Sequence, residues 1–232
     1  MEVEQWLETQ LGRDIWKGKY CNENETLDQF FDRVSSGNKS ARELVKEKKF
    51  LFGGRILASR GLQNKGRKIS FSNCYVVDPP ADSIESIFDC AKNLARTYSY
   101  GGGCGVDISK LSPKGAKIRN AAKETTGSIS FMDLYSLVTE LIGQQGRRGA
   151  LMLSMDCTHP DIEEFITLKS DLTKVNKANI SVRISDDFMN AVKNNTDWEL
   201  KFTRPETGET ISKTVKAKEL FNLMAKMNWD YG

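Results

Sequence analysis

Four glycines fill five positions at Gly101-Gly102-Gly103-Cys104-Gly105, between a helical pattern and an apolar stretch with strand character. Glycine loses more conformational freedom on folding than any other residue, about 0.5–1 kcal/mol against alanine in regular structure. A helix that merely stops needs one glycine in the left-handed region. The additional glycines imply a close approach to the backbone. The order of elements excludes two common phosphate motifs. A dinucleotide fingerprint runs strand, glycine turn, helix, and seats phosphate on the helix N-terminus; here the helix comes first. The run also lacks the Gly-Lys-Ser/Thr ending of a P-loop. What remains is a ligand brought near free backbone amides.

Hydrophobic spacing organises the rest of the 232 residues. Residues 1–60 read as a helical region, with helices expected over 26–34 and 40–49. Thr26 and Ser40 are cap candidates, and Leu27, Phe30, Phe31 and Val34 recur at helical spacing. Residues 61–232 read differently. A strand is expected over 69–77, and then Asp82-Ser83-Ile84-Glu85 opens a helix as a capping box with Asp82 as the cap. That helix carries Ile84, Ile87, Phe88, Ala91, Leu94, Ala95 and Tyr98 and ends in the glycine run, with the next strand expected from Val106. A second amphipathic helix starts at Gly127-Ser128. Residues 150–155 form an apolar run expected to be buried on both faces. Pro160 suits a first helical position, 179–184 a strand, 198–215 a hairpin around Glu206-Thr207-Gly208, and 217–229 a last helix. Strands alternating with helices predict an α/β fold with a largely parallel sheet.

Composition limits the function classes. No apolar run approaches the roughly 18 residues that cross a bilayer, and the acidic start is unlike a targeting peptide; the expectation is a cytoplasmic protein with no membrane partner. Five cysteines without a Cys-x-x-Cys pair suit reduced thiols better than a disulfide framework. Cys157-Thr158-His159 supplies two candidate ligands, too few for a metal site, so none is expected. The net charge of +3 is spread along the chain, which gives no nucleic-acid footprint. One basic stretch stands out: Lys110, Lys114, Lys117, Arg119 and Lys123, with no acidic residue until Glu124. It is either a solvated face or the seat of a small phosphorylated ligand.

Individual residues are ambiguous. Cys74 is either a buried structural thiol or a redox thiol, and the latter needs a partner sulfur and an accessible site. His159, the one histidine, is a helix-start or capping residue rather than an acid–base catalyst. Gln144-Gln145-Gly146-Arg147-Arg148 places two guanidinium forks, suited to phosphate or base recognition, between an apolar helix and a buried strand.

Order and spacing are more specific. Gly54-Arg-Ile-Leu-Ala58, Ser72-Asn-Cys-Tyr-Val76, Asp82-Ser-Ile-Glu-Ser-Ile-Phe88, Gly101 to Ala116, Ser130-Phe-Met132, Gly146-Arg-Arg-Gly-Ala150 and His159-Pro-Asp-Ile-Glu-Glu-Phe165 together resemble the large catalytic subunit of ribonucleotide reductases. The likeness runs from Leu11 to Gly232 and is greatest to the adenosylcobalamin-dependent class II enzymes.

The resemblance implies a helical N-terminal cap followed by the first half of a ten-stranded α/β barrel, here incomplete. It matches Cys74 to the cysteine that reduces the ribose 2′ carbon and then pairs with a second cysteine. It matches Ser72, Asn73, Gly102 and Gly103 to substrate contacts. Asp82, Ser83 and Ile84 match contacts to the base and sugar of an effector deoxynucleoside triphosphate bound with Mg. Lys110 and Arg119 match its phosphate loop. Gln144, Gln145, Gly146, Arg147 and Arg148 match the loop joining effector to substrate, and the helices near 84–98 and 129–142 match a homodimer contact. Relatives often carry Arg at the position of Ser112. A thioredoxin-like reductant is an implied partner.

Two features of that family are missing from these residues: an Asn-x-Cys-x-Glu finger loop and a C-terminal cysteine pair. No ATP-cone is expected either. The sequence reading is therefore the N-terminal portion of a class II reductase, inactive alone, its remaining half encoded separately or cut away. Two other readings compete: a non-enzymatic dNTP-binding and dimerisation module, and an unstable half-barrel with exposed strand edges.

Overall fold

Crossover connections dictate the larger part of the fold, because parallel strands cannot be joined by tight turns. The structure, a computed structural model, describes residues 3–66, 69–118, 123–142 and 149–231, apart from the side chains of Glu4 and Asn64. The chain divides into two units, Met1–Asn73 and Cys74–Gly232.

The first unit is helical: α1 (Val3–Trp6), α2 (Gln10–Ile15) with a following π-helical turn (Trp16–Tyr20), α3 (Leu27–Ser35), α4 (Lys39–Lys46) and α5 (Gly54–Ser59). Thr26 and Gln29 form the capping box of α3, and the apolar face of that helix buries Phe30, Phe31 and Val34 against Trp6, Trp16, Val45 and Leu57. Asn38, not Ser40, caps α4, accepting from the Ala41 N–H at 2.9 Å. Asn38 lies two positions earlier, immediately before the first helical residue Lys39, and offers a short side-chain oxygen. Arg33 closes the unit from inside: its guanidinium bonds both Glu25 oxygens and the carbonyls of Tyr20, Leu57 and Arg60 at 2.7–3.1 Å.

In the second unit β1 (Cys74–Val77), β2 (Gly103–Asp107), β3 (Leu151–Asp156) and β4 (Ala178–Arg183) form a parallel sheet in the order β1-β2-β3-β4. Helices α6 (Ile84–Ser99), α7 (Ser128–Leu141) and α8 (Ile162–Thr167) make the crossovers. Then come α9 (Asp186–Asn194), the antiparallel hairpin β5 (Asp197–Thr203) and β6 (Thr210–Lys216), and α10 (Ala217–Tyr231). The α/β class with a parallel sheet is as the strand–helix alternation predicts.

Four local expectations are corrected. The first strand covers only Cys74–Val77, because the Ser72 N–H turns back to Ser70 Oγ at 3.1 Å and diverts the chain from the ladder. The second begins at Gly103, so glycines lie inside the ladder. β3 is not buried on both faces: Leu151, Leu153 and Met155 are buried, whereas Met152 is exposed and Ser154 and Asp156 are half-buried. Helix α8 starts at Ile162 rather than Pro160, after a turn in which the Ile162 N–H meets the His159 carbonyl at 3.0 Å.

Side-chain alternation then defines two sheet faces. Val77, Cys104, Val106, Leu151, Leu153 and Met155 enter the core with Ile87, Leu94 and Tyr98 of α6 and Met132 and Tyr135 of α7. The opposite face carries Cys74, Val76, Gly103, Gly105, Asp107, Met152, Ser154, Asp156, Asn179, Ser181 and Arg183 by register.

Candidate functional site

Cys74 opens β1 on that second face and is exposed, in register with Gly103. Cys104 aligns with Tyr75 and points the other way, buried under α6, where loss of solvent pushes its thiol pKa up. Cys90 and Cys157 are buried too, and burial raises both. Among the described residues Cys74 is the one exposed thiol.

Three glycines of the run have separate settings. Gly101 ends α6 at φ +85°, its N–H meeting the Tyr98 carbonyl at 2.8 Å. At Gly102 a Cβ would lie 2.7 Å from Thr97 and 2.8 Å from the Tyr75 ring, so the close approach predicted there is made by the protein itself. At Gly105 nothing lies within 4 Å of a Cβ position. That glycine leaves open space on the uncovered face.

Polar groups gather at the C-terminal ends of β2, β3 and β4, the end of a parallel sheet where ligands commonly bind. Arg183 bonds Asp156 Oδ2 at 2.9 and 3.1 Å and stands 3.5 Å from Asp107. Ser154 Oγ donates to Asp107 Oδ2 at 2.9 Å. Burial acts to raise the Asp156 carboxyl, but hydrogen bonds from Thr158 and Arg183 outweigh it and hold the pKa below the ordinary value.

The basic turn forms a second locus, pinned from four sides. His159 Nε2 meets the Leu111 carbonyl at 2.9 Å. Asp82 accepts from the Ser112 N–H at 2.9 Å and from the Ser112 hydroxyl. Asp161 accepts from the Lys114 N–H at 3.1 and 3.2 Å and from Ser128 Oγ at 2.8 Å. Arg204 donates to the Lys117 carbonyl. The turn's lysines Lys110, Lys114 and Lys117 are exposed, as is Lys123, and none of the four is ion-paired among the described residues. A constrained loop presenting unpaired ammonium groups suits a polyanion.

Asp82 is therefore not the cap of α6. Ser83 is, its Oγ accepting from the Ser86 N–H at 3.2 Å, which leaves the Asp82 carboxylate for Ser112 and Arg204. Ile84 is exposed beside it. The structure thus groups Asp82, Ser83 and Ile84 with the basic turn, and it groups Cys74 with Gly103 on the sheet. Gly102 lies immediately before β2. Ser72 and Asn73 belong to the helical unit. Arg119, Gln144, Gln145, Gly146, Arg147 and Arg148 lie outside the described residues. Among those residues no cluster of three metal-ligating side chains occurs.

Sequence reading missed Arg204, and Asp161 as a loop anchor. His159-Pro160-Asp161 was visible as a motif, but nothing near Arg204 in the chain signals its role.

The family model described as the barrel domain of ribonucleotide reductase matches residues 72–232. The vitamin B12-dependent ribonucleoside-diphosphate reductase of Thermoplasma acidophilum is 34% identical over 209 residues, which are 88% of this chain and 27% of that protein. A Mycobacterium tuberculosis protein of the same description is 33% identical over 168 residues, 71% of this chain and 24% of its own. The vitamin B12-dependent ribonucleotide reductase of Streptomyces coelicolor is 32% identical over 183 residues, 68% of this chain and 18% of its own. The chain spans about a quarter or less of the length of these relatives. With its residues 72–232 matching the barrel domain, the chain belongs to the ribonucleotide reductase family.

Proposed function

We propose that this chain is the nucleotide-handling part of a ribonucleotide reductase that converts ribonucleotides to deoxyribonucleotides. The observation that carries the reading is Cys74, an exposed thiol beside Gly103 on an uncovered sheet face. By the family resemblance the substrate ribose lies beside the backbone of Gly102 and Gly103 and contacts Ser72 and Asn73, and Cys74 is one of two thiols that reduce the 2′ carbon. The two thiols give up two electrons and two protons and become a disulfide, and the 2′ hydroxyl leaves as water. The second thiol belongs to the rest of the enzyme, and a thioredoxin-like dithiol restores the pair. On this reading the four parallel strands begin a ten-stranded barrel wall, with residues 1–60 as a helical cap and 61–232 as the first half-barrel.

The basic turn is the proposed allosteric site. Lys110 and Arg119 would face the phosphates of a Mg-bound deoxynucleoside triphosphate, and Asp82, Ser83 and Ile84 its sugar and base. Gln144 to Arg148 would carry the signal to the substrate. Mg needs few protein ligands there, because phosphates and water fill most of its coordination shell. Helices α6 and α7 would pair with a second copy.

The relatives are named vitamin B12-dependent, and we assign adenosylcobalamin to the complete enzyme as the source of its radical. This chain offers cobalt no imidazole: its single histidine is buried with both ring nitrogens engaged. The residues Asn-x-Cys-x-Glu do not occur in it either.

The test has two arms. The purified chain should bind deoxynucleoside triphosphates with Mg, and Asp82→Ala should weaken that binding by about tenfold or more. With ribonucleotide, adenosylcobalamin and dithiol it should show no turnover until a polypeptide carrying the remaining barrel is added, and Cys74→Ser should abolish the restored activity. Turnover by the chain alone, or no nucleotide binding, overturns the reading.

A further inference from the structure

Immediately after β5 the hairpin sends one side chain back into the proposed allosteric site. The Arg204 side chain is only 4% exposed. Its Nη1 donates to the Lys117 carbonyl, and its Nη2 lies 3.4 Å from Asp82 Oδ2 and 3.8 Å from the exposed Glu206. Its Nε is buried without a partner among the described residues.

Arginine stays charged at any working pH, so burying it demands compensation from carboxylates and acceptors. Arg33 shows a structural guanidinium in this protein with all three nitrogens engaged, in five bonds to Glu25 and three carbonyls. Arg204 falls short of that standard. The less exposed of its two carboxylates, Asp82, is shared with the Ser112 N–H and hydroxyl, and one donor is unsatisfied. A group kept for stability alone is normally saturated.

Three chain segments meet at this guanidinium: the turn before α6, the far end of the basic turn, and the hairpin. Asp82 and the basic turn are the two halves of the proposed effector pocket. One bridging cation fixes the distance between them.

We propose that Arg204 is a positioning residue for effector recognition. By holding the Asp82 carboxylate and the Lys117 carbonyl together, it sets the sugar-binding and phosphate-binding sides of the site at the spacing of one deoxynucleoside triphosphate. This rests on the reading of the basic turn as the effector site. The guanidinium acts through Asp82 and Lys117 and touches no ligand itself, since water has almost no access to it.

The experiment measures binding of each of the four deoxynucleoside triphosphates, with Mg, to the full 232-residue chain. Wild type is compared with Arg204→Lys, Arg204→Gln, Asp82→Asn and the Gln/Asn double variant, and thermal unfolding is recorded for each. Arg204→Gln should weaken binding by about tenfold and flatten discrimination among the four bases. Arg204→Lys keeps charge without the planar fork and should recover part of the affinity. The double variant should bind no worse than the weaker single variant, because the two residues act as one unit. If wild type binds no nucleotide, the effector reading and this proposal fall together. If wild type binds and a folded Arg204→Gln or Arg204→Lys matches it in affinity and base preference, only this proposal falls. Loss of folding in both Arg204 variants assigns the residue to stability and also overturns it.

Discussion

Cys74 lies opposite Gly103 across the β1–β2 ladder, and the next pair sets Tyr75 beside Cys104. Alternation therefore sends two cysteines from neighbouring strands to opposite faces of one sheet, Cys74 outward and Cys104 under α6. Thiol reactivity follows thiolate character and access. Burial raises the pKa of Cys104, Cys90, Cys157 and half-buried Cys21. Titration of the native chain with a chromogenic disulfide should give one fast thiol, and Cys74→Ser should remove that phase alone. A fast phase that survives the substitution contradicts the assignment of faces.

Gly127 and Gly105 make a matched pair for stability. Gly127 sits at φ +93°, and a Cβ there would lie 2.9 Å from the backbone of Lys114, which cannot move without dragging the basic turn. Gly127→Ala should destabilise by about 1–3 kcal/mol from the dihedral alone, with the steric overlap added. Gly105→Ala meets nothing within 4 Å and should stay within about 0.5 kcal/mol of wild type. Denaturant midpoints check both. In the complete enzyme Gly105→Ala should nonetheless lower activity, because its methyl would project from the proposed substrate face.

The parallel sheet was legible because strand and helix periods alternate over long stretches, as from 74 to 183. The glycine run misled by three residues. Its neighbours Val106 and Ile108 have strand character, so the strand was expected to start after the glycines, whereas Gly103 and Gly105 are themselves ladder residues. Asp82 and Ser83 are both good caps, and sequence alone favoured the wrong one. The side chain of Asp82 is claimed by Ser112 and Arg204, 30 and 122 residues away. Periodicity reports local geometry. It is silent on contacts of that range, which is why Arg204 and the anchoring role of Asp161 emerged only from the fold.

The helices α6 and α7 pack on each other and on the sheet, yet Ile84 and Phe88 of α6 and Leu137 and Leu141 of α7 remain exposed. Unpartnered apolar side chains on adjacent helices suit a self-association surface. Phe88→Glu with Leu137→Glu should leave the unfolding temperature nearly unchanged, since neither side chain is in the core, and should shift sedimentation from dimer to monomer. Wild-type chain that sediments as a monomer at every concentration, with and without deoxynucleotide, removes the dimer from the proposed function.

His159 should make the stability of the basic turn depend on pH. It is 2% exposed, with Nε2–H donating to the Leu111 carbonyl and Nδ1 accepting from the Asp161 N–H at 3.1 Å. A second ring proton would break the latter bond. Burial pushes the pKa below its ordinary value of 6.5, against the opposing pull of the Leu111 carbonyl and of Asp161, Asp156 and Asp107. The unfolded chain takes up a proton near pH 6.5 and the folded chain only at lower pH. This contribution is therefore fully present above pH 6.5 and is lost as pH falls toward the folded-state value, with a slope of at most about 1.4 kcal/mol per pH unit. The carboxylate of Asp156, also held below its ordinary value of 3.8, adds a loss of the same sign at more acidic pH. Denaturant titrations between pH 7.5 and 5 should show midpoints falling below pH 6.5. His159→Gln should cost about 1–3 kcal/mol at pH 7.5, through imperfect replacement of two buried hydrogen bonds, and should flatten the dependence between pH 6.5 and 5. An unchanged slope in that variant would place the titrating group elsewhere.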